Sequence, residues 1–234
     1  MGIAPESGVA GVKTLDSGGK GTAADMLAGL QWVIDNKEKY NIRVVNLSVG
    51  APEPPECDPL IRAVEAVWDL GVCVVAAAGN NGPGPGSITS PGVSKKVITV
   101  GASDDDDAVE IMGNTTQNYS GRGPTQDCIV KPDILAPGAG IISAMAHAPP
   151  PGKPPIAGYY MKMSGTSMAT PIVSGAIALL LERSPELTPN DVKYMLRTSA
   201  ADMHCPRNRQ GCGVLDISAV LREEAKHVRD LSNG

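Results

Sequence analysis

An eight-residue motif at positions 164–171, Ser-Gly-Thr-Ser-Met-Ala-Thr-Pro, has the residue types of a nucleophilic site. A serine hydroxyl is a weak nucleophile, so it needs a neighbouring base and a site that stabilises an oxyanion. The pattern predicts that Ser167 lies in the first turn of an apolar helix, where free backbone N–H groups and the helix dipole face an anion. Gly165 permits a sharp turn before it, and Pro171 is tolerated near a helix start. The motif therefore favours a nucleophile over an ordinary Ser/Thr-rich helix start.

A second stretch that could contribute polar groups covers positions 74–83 and reads Val-Val-Ala-Ala-Ala-Gly-Asn-Asn-Gly-Pro. An apolar strand that ends at Gly79 would hold the side-chain amide of Asn80 at a strand end, where it can donate without reorganisation. For these two residues alone, an ordinary turn remains the alternative. The glycines that follow resemble a dinucleotide-binding loop only superficially. Pro83 and Pro85 remove the N–H donors and prevent the helix that a pyrophosphate needs.

The elements around these motifs alternate between strand and helix. The predicted strands are Val9–Leu15, Arg43–Val49, Val72–Ala78 and Val97–Val100, and the predicted helices are those that begin at Thr22, Pro59, Ser167, Thr188 and Ile217, the last of them reaching Val228. A loop-rich stretch after Val100 has room for a hairpin. Parallel strands joined by helices predict an α/β fold, a three-layer sandwich whose mostly parallel sheet is flanked by helices. Both motifs fall beyond the carboxyl ends of strands, where such sheets carry their sites.

Composition and charge exclude several classes of protein. Apolar residues at 42% and charged residues at 19% are typical of a soluble globular chain, and the absence of Phe leaves aliphatic and small residues to fill the core. A net charge of -5 without a basic cluster argues against nucleic acid or an anionic membrane as a partner. No apolar run approaches bilayer length, and residues 1–20 lack a signal-peptide pattern.

The cysteines and the acidic run carry weaker predictions. Five cysteines without regular spacing predict reduced thiols rather than a disulfide framework, although Cys205 and Cys212 could close a local loop. Cys73 lies in an apolar run and is expected in the core. No Cys or His spacing predicts zinc. Asp104–Asp107 is expected to be a solvated turn, because the alternation of a calcium loop is missing.

The two motifs and the segment Asn46-Leu47-Ser48-Val49-Gly50 resemble the subtilisin-like serine peptidases. The resemblance covers residues 2–221, predicts a single domain over 1–234, and is nearest to the intracellular serine proteases of bacteria. It implies that Ser167 is the nucleophile and that Asn80 donates to the oxyanion. It further implies that Ser48, Val49 and Gly50 pair with an extended peptide, and that Ala77, Ala78 and Gly79 form a wall of the first specificity pocket, with Ser90-Pro91-Gly92 at its far end.

The sequence lacks two members of the catalytic triad that this resemblance leads us to expect. The family order is Asp, His, Ser, yet the sequence has no His-Gly-Thr-His segment. The tripeptide at 16–18, Asp-Ser-Gly, follows a segment that comes after the catalytic His in the family, so it is predicted to be a turn. The histidines at 147, 204 and 227 are each expected to be solvated at the surface. We therefore expect the C-terminal portion of a subtilisin-like domain, from a truncated or split gene, with a fold that is incomplete at its N-terminus.

The sequence thus predicts a serine endopeptidase domain that hydrolyses peptide bonds through an acyl-enzyme on Ser167. Alone, the chain is expected to be nearly inactive unless a separate N-terminal fragment supplies Asp and His. The alternatives are a peptide-binding pseudoprotease and a non-functional gene remnant. The residues themselves require no cofactor, while the resemblance leaves room for a structural calcium ion. A cytoplasmic location in a bacterium is expected from the thiols and the resemblance, with secretion left open.

Overall fold

The computed structural model of the protein describes residues 2–51, 58–111, 113–145, 155–224 and 227. The helices in these residues are α1 (Ala23–Tyr40), α2 (Pro59–Asp69), α3 (Thr166–Arg183), α4 (Pro189–Thr198), α5 (Arg207–Gln210) and α6 (Ile217–Arg222). The strands are β1 (Val44–Leu47), β2 (Cys73–Ala77), β3 (Ile98–Ala102), β4 (Val109–Ile111), β5 (Asn114–Thr116), β6 (Ile134–Ala136), β7 (Ile141–Ala144) and β8 (Tyr160–Met163).

Four parallel strands form the central sheet in the order β1-β2-β3-β6, so that β1 and β6 are its edges within the described residues. Strands β2 and β3 are buried along their whole length, as expected for continuous runs of Val, Ile and Ala covered on both faces. Because the strands run in the same direction, their carboxyl ends meet at one edge of the sheet. The segments that follow β1 and β2 are therefore brought together there.

Helices cover the sheet and confirm the predicted three-layer α/β sandwich. Helix α3 packs across all four strands, while α1 packs on α2 and α2 packs against β2. The starts of α1 and α4 have capping boxes, in which Thr22 pairs with Asp25 and Thr188 pairs with Asp191. None of the helices in the described ranges combines the length and the apolarity that crossing a bilayer requires.

Several elements differ from the sequence-based predictions, and β6 of the central sheet was not among the predicted strands. The segment Val9–Leu15 is not a strand, because a strand needs a hydrogen-bonded neighbour and none of the described strands lies beside it; Val9 is 93% exposed. Helix α3 begins one residue before Ser167. Helix α6 ends at Arg222, since Glu223 has extended backbone, and Val228 lies outside the described residues. The loop-rich stretch holds two hairpins, β4-β5 and β7-β8.

The prediction of a solvated turn at Asp104–Asp107 is wrong for its first two residues. The carboxylate of Asp104 accepts hydrogen bonds from the N–H groups of Gly138 at 2.7 Å and Ala139 at 3.0 Å. Asp105 is fully buried and lies 2.9 Å from the guanidinium of Arg209. These carboxylates therefore fasten distant loops to the end of β3.

The cysteines that the structure describes are free thiols, including Cys205 and Cys212, so these two do not close a loop. Cys73 is buried in β2 as predicted, and burial raises the pKa of its thiol to about 12. A thiol with so high a pKa is unreactive at neutral pH, which fits a role in packing alone.

A cluster of buried charges lies at the opposite, amino-terminal edge of the sheet. The ammonium of Lys131 contacts Asp133 at 2.7 Å and the Val97 carbonyl at 2.9 Å. The ammonium of Lys193 contacts the other carboxylate oxygen of Asp133 at 3.1 Å and the same carbonyl at 2.9 Å. The N–H of Thr99 also donates to Asp133, at 2.8 Å. We call Lys131, Asp133 and Lys193 the amino-edge cluster.

Burial and pairing shift the pKa values of this cluster in opposing ways. Burial lowers the pKa of Lys131 to about 7, only partly offset by the charge of Asp133, because the second lysine shares the same carboxylate. Burial alone would raise the pKa of Asp133, but the two ammonium groups outweigh it and hold that pKa well below its usual range. The carboxylate is therefore ionised at neutral pH.

Candidate active site

The first turn of α3 presents Ser167 at the carboxyl-terminal edge of the sheet. Gly165 precedes the helix with φ +138, a backbone conformation that favours glycine, and its N–H donates to the Gly138 carbonyl at 2.9 Å. The half-buried Ser167 then donates its hydroxyl proton to the carbonyl of Ser48 at 2.9 Å. The N–H of Ser167 belongs to the first helical turn, whose N–H groups lack acceptors within the helix.

The side-chain amide of Asn80 is oriented by the start of the same helix. The N–H of Thr166 donates to the Asn80 Oδ1 at 3.0 Å, and the Thr166 hydroxyl donates to it at 3.1 Å. Because an N–H can donate only to the oxygen, these bonds fix which end of the amide is the donor. The Nδ2 group is thereby turned towards Gly165, since a Cβ atom added at Gly165 would lie 3.2 Å from it.

Thr166 is a positioning residue that the sequence reasoning missed. It is fully buried, and its hydroxyl accepts a hydrogen bond from the N–H of Gly79 at 3.1 Å while donating to Asn80. One side chain thus locks the end of β2 to the start of α3. The sequence signal for this role is the position of Thr166 directly before Ser167 in the eight-residue motif. We call Ser48, Asn80, Thr166 and Ser167 the carboxyl-edge site.

The segment Ser48–Gly50 continues from the end of β1 and runs beside the nucleophile. The Ser48 hydroxyl donates to the Ser167 carbonyl at 2.8 Å and accepts from the Asn46 amide at 2.8 Å. Within the described residues, the main-chain groups of Val49 and Gly50 form no main-chain hydrogen bonds. Their unpaired N–H and C=O groups are what an extended peptide would require for strand addition.

The segment Ala77–Gly79, predicted to be a pocket wall, is a buried stretch at the end of β2. All three residues are buried, and the main chain of Ala78 is already paired with Val100 and Thr89. Across from this wall, the main chain of Ser90 forms two hydrogen bonds with Ala51, each of 3.0 Å. These bonds join the stretch at 90–92 to the segment that follows β1, and its place at the far end of the specificity pocket stays a prediction.

A general base for Ser167 is not found among the described residues. The side chain of His204 is 90% exposed and lies 3.5 Å from Asp202. His227 lies 3.2 Å from Asp191, in the first turn of α4. The same helix carries Lys193 of the amino-edge cluster, whereas Ser167 lies at the carboxyl-terminal edge of the sheet. His147 lies outside the described residues. The turn predicted at 16–18 is confirmed, with the Asp16 carboxylate accepting from two N–H groups of the turn itself.

The described residues offer no cluster of acidic, histidine or cysteine side chains of the kind that binds a metal ion. They contain no group of three or more His, Cys, Asp or Glu side chains that could hold one. Asp104 and Asp105, the strongest acidic candidates, are occupied by backbone N–H groups and by arginine. The groups that the carboxyl-edge site presents are a hydroxyl, a side-chain amide and backbone N–H groups.

Comparison with known proteins places the chain among serine proteases. A model of the subtilase family matches residues 1–213. Serine protease AprX of Bacillus subtilis (strain 168) is 44% identical over 208 residues, which are 84% of this chain and 47% of that protein. Subtilisin Savinase of Lederbergia lenta is 32% identical over 222 residues, which are 95% of this chain and 71% of that protein. The chain thus spans about half the length of AprX.

Solved structures give the same result for the fold. A cold adapted subtilisin-like serine proteinase is 29% identical, with a TM-score of 0.69 over 92% of this chain and 67% of that chain. The prenylagaramide maturation protease PagA is 28% identical, with a TM-score of 0.66 over 88% of this chain and 69% of that chain.

Proposed function

Because the chain belongs to the subtilase family, we propose that it is the nucleophile-bearing part of a serine endopeptidase. The orientation of Asn80 by Thr166 is the observation that carries this proposal. It aims an amide donor at the space beside Ser167, where it can serve an oxyanion without reorganisation. A protein that only binds peptides would not need such a donor.

In the proposed reaction, Ser167 Oγ attacks a peptide carbonyl while a base takes its proton. The tetrahedral oxyanion accepts hydrogen bonds from Asn80 Nδ2 and from the N–H of Ser167. The C–N bond then breaks, the amine leaves with the proton, and an ester remains on Ser167; water reverses these steps to release the acid. The main chain of Ser48–Gly50 holds the substrate extended, beside the wall of Ala77, Ala78 and Gly79.

The base and its orienting carboxylate come from a separate N-terminal segment in this proposal. The Ser48 carbonyl, which now accepts the Ser167 proton, is not basic enough to remove it. The outer edge of β1 has no strand partner among the described residues, and apolar side chains of the N-terminal segment, such as Val9, are exposed. An unpaired edge and exposed apolar residues are what a missing strand would cover.

The chain alone should therefore be nearly inactive. Loss of triad members lowers turnover by roughly a million-fold, a magnitude established in subtilisins themselves. The second candidate function, a peptide-binding pseudoprotease, is favoured by one observation, the bond that ties the Ser167 hydroxyl to a carbonyl instead of a base. A gene remnant would show neither chemistry nor binding.

A labelling experiment separates these possibilities. The chain is expressed alone and together with the N-terminal segment of a subtilisin-like relative that carries the Asp and His motifs. A fluorophosphonate probe is added, and mass spectrometry locates the label. We expect labelling of Ser167 only in the complex, with Ser167→Ala as the blank. Peptide binding without labelling would support the pseudoprotease, and a folded complex that neither binds nor reacts would support the remnant.

We also propose a cytoplasmic location, supported by free thiols at each described cysteine. Cell fractionation followed by detection with an antibody to the chain tests this location.

Calcium dependence stays a prediction from the family resemblance. A thermal melt with and without EDTA measures it.

A further inference from the structure

The loop that follows β6 is held at its start by a carboxylate from another strand. Asp104 lies just after β3, and its Oδ1 accepts hydrogen bonds from the N–H groups of Gly138 at 2.7 Å and Ala139 at 3.0 Å. The Ala139 N–H also lies 3.0 Å from Oδ2. Hydrogen bonds to a carboxylate are roughly twice as strong as bonds between neutral groups. Asp104 therefore fixes the position of this loop relative to β3.

The turn that carries Asp104 is itself held in place. The buried Asp105 lies 2.9 Å from the guanidinium of Arg209, and Asp106 lies 2.7 Å from the same guanidinium. The N–H of Asp107 donates to the Asp104 carbonyl at 3.3 Å. The carboxylate of Asp104 is thus a fixed point to which the loop is attached, rather than a surface side chain that would follow the loop.

The other side of the loop contacts the two residues that open the turn into α3. The N–H of Gly165 donates to the Gly138 carbonyl at 2.9 Å, and the N–H of Gly140 donates to the Ser164 hydroxyl at 2.9 Å. The packing is close, since a Cβ atom added at Gly138 would lie 2.9 Å from the Ala102 Cβ and 3.0 Å from the Gly165 carbonyl oxygen. A shift of the loop therefore moves Gly165.

Gly165 in turn lies beside both proposed oxyanion donors. It is the residue that caps the start of α3, and its carbonyl accepts from the N–H of Met168 at 2.9 Å. The Nδ2 group of Asn80 faces it, and the N–H of Ser167 follows two residues later. The spacing between these two donors therefore depends on the position of Gly165.

We propose that Asp104 is a positioning residue that sets the spacing of the oxyanion donors, acting through Gly138 and Gly165. This inference rests on the proposed function, since it takes Asn80 and Ser167 as those donors. Asp104 contacts neither of them directly, so its removal should weaken stabilisation of the transition state more than binding of the substrate. A misplacement of 1 Å caused far from the reacting atoms can lower the rate by about 10²-fold.

The first test measures peptide hydrolysis in the complex with the N-terminal segment. Asp104→Ala should lower kcat by about 10- to 100-fold with little change in KM. Asp104→Asn should recover part of the loss, because its side-chain oxygen can still accept from Gly138 while its nitrogen cannot accept from Ala139. Asp107→Ala is the matched control, since it removes an exposed carboxylate from the same turn and should leave kcat unchanged.

A double variant separates positioning from a purely structural role. If Asp104 acts through the donors, Asp104→Ala should lower kcat much less when Asn80→Ala is already present, because one of the two donors is then gone. A residue that only stabilises the fold would lower kcat by the same factor with or without Asn80, and that result would overturn the inference.

Hydrogen exchange of the chain alone gives a readout that does not need catalysis. Asp104→Ala should speed amide exchange at residues 164–168 more than Asp107→Ala does, and equal exchange in the two variants would overturn the inference. An unchanged kcat for Asp104→Ala, in a complex that cleaves peptides, would overturn it and leave the peptidase intact. Faster exchange, together with an unmodified complex that is inactive, would uphold the link from Asp104 to the start of α3 and contradict the peptidase.

Discussion

Two polar clusters lie at opposite ends of the same sheet and differ in how fully their groups are satisfied. At the amino-edge cluster both carboxylate oxygens of Asp133 and the ammonium groups of Lys131 and Lys193 have partners, all of them buried. At the carboxyl-edge site the Asn80 Oδ1 is paired, whereas its Nδ2 forms no hydrogen bond within the described residues. The first arrangement is closed, with each buried charge facing a partner, and the second keeps donors free for a ligand.

The two clusters also differ in whether their polar groups carry a charge. Buried charges are tolerated only when each is compensated, so the amino-edge cluster has to be complete. The carboxyl-edge site uses neutral groups whose desolvation costs less, and it can leave one of them unpaired at a half-exposed position. Substitutions at the two ends should therefore have different consequences, for stability at one end and for catalysis at the other.

Asp133→Ala should cause the largest change. It leaves two buried ammonium groups without their carboxylate, and breaking a buried ion pair from one side costs about 3–5 kcal/mol of unfolding free energy. The control is Asp69→Ala, which removes an ion pair of the same 2.7 Å length to Lys96, but at a carboxylate that is 60% exposed; the expected cost is about 0–1 kcal/mol. Urea unfolding of both variants measures the difference, and equal losses would contradict the comparison.

Asn80→Ala should act mainly on turnover, and its cost in unfolding free energy, about 1–3 kcal/mol from the two Thr166 donors that lose their acceptor, should be smaller than that of Asp133→Ala. In the complex with the N-terminal segment, kcat should fall by roughly 10²–10³-fold, the magnitude known for such donors in subtilisins. The neighbouring Asn81 is exposed and has no place in the site, so Asn81→Ala is the matched control. Steady-state hydrolysis of a peptide substrate gives the ratio. If both variants lost the same activity, the role of Asn80 would be refuted.

The sequence predicted those parts of the fold that depend on local pattern and on strand order. The buried strands and the closeness of Asn80 to the first turn of α3 follow from short motifs and from the rule for carboxyl ends. It could not predict contacts set by distant residues. The burial of Asp105 depends on Arg209, 104 positions away, and the segment Val9–Leu15 reads as a strand although no described strand lies beside it.

Lys131→Met should change how the unfolding free energy of the protein depends on pH. The folded protein loses the Lys131 proton near pH 7, whereas the unfolded chain keeps it up to about 10.5, so the unfolded state binds more protons in that window. Unfolding free energy therefore rises with pH across it, by at most about 1.4 kcal/mol per pH unit from this group. The variant keeps the Lys193–Asp133 pair and should lose this part of the slope. Urea titrations between pH 7 and 10 compare the two chains, and identical slopes would contradict the lowered pKa.

Thr166→Val should have the smallest effect, because it loosens the carboxyl-edge site without removing a reacting group. The variant loses the hydroxyl bonds to Gly79 and Asn80 but keeps the N–H bond to Oδ1, so the amide is less firmly held. A neutral hydrogen bond contributes about 1 kcal/mol, which corresponds to a fall of about fivefold in kcat with little change in KM.

Thr166→Ser is the matched rescue, since serine restores the hydroxyl and removes only a methyl group. Recovery of kcat in this variant would show that the hydroxyl positions Asn80 for the oxyanion. A residue that served only to join β2 to α3 would behave otherwise: Thr166→Val would lower the melting temperature and leave kcat unchanged. That result would show that Thr166 has only a structural role and does not position Asn80 in the carboxyl-edge site.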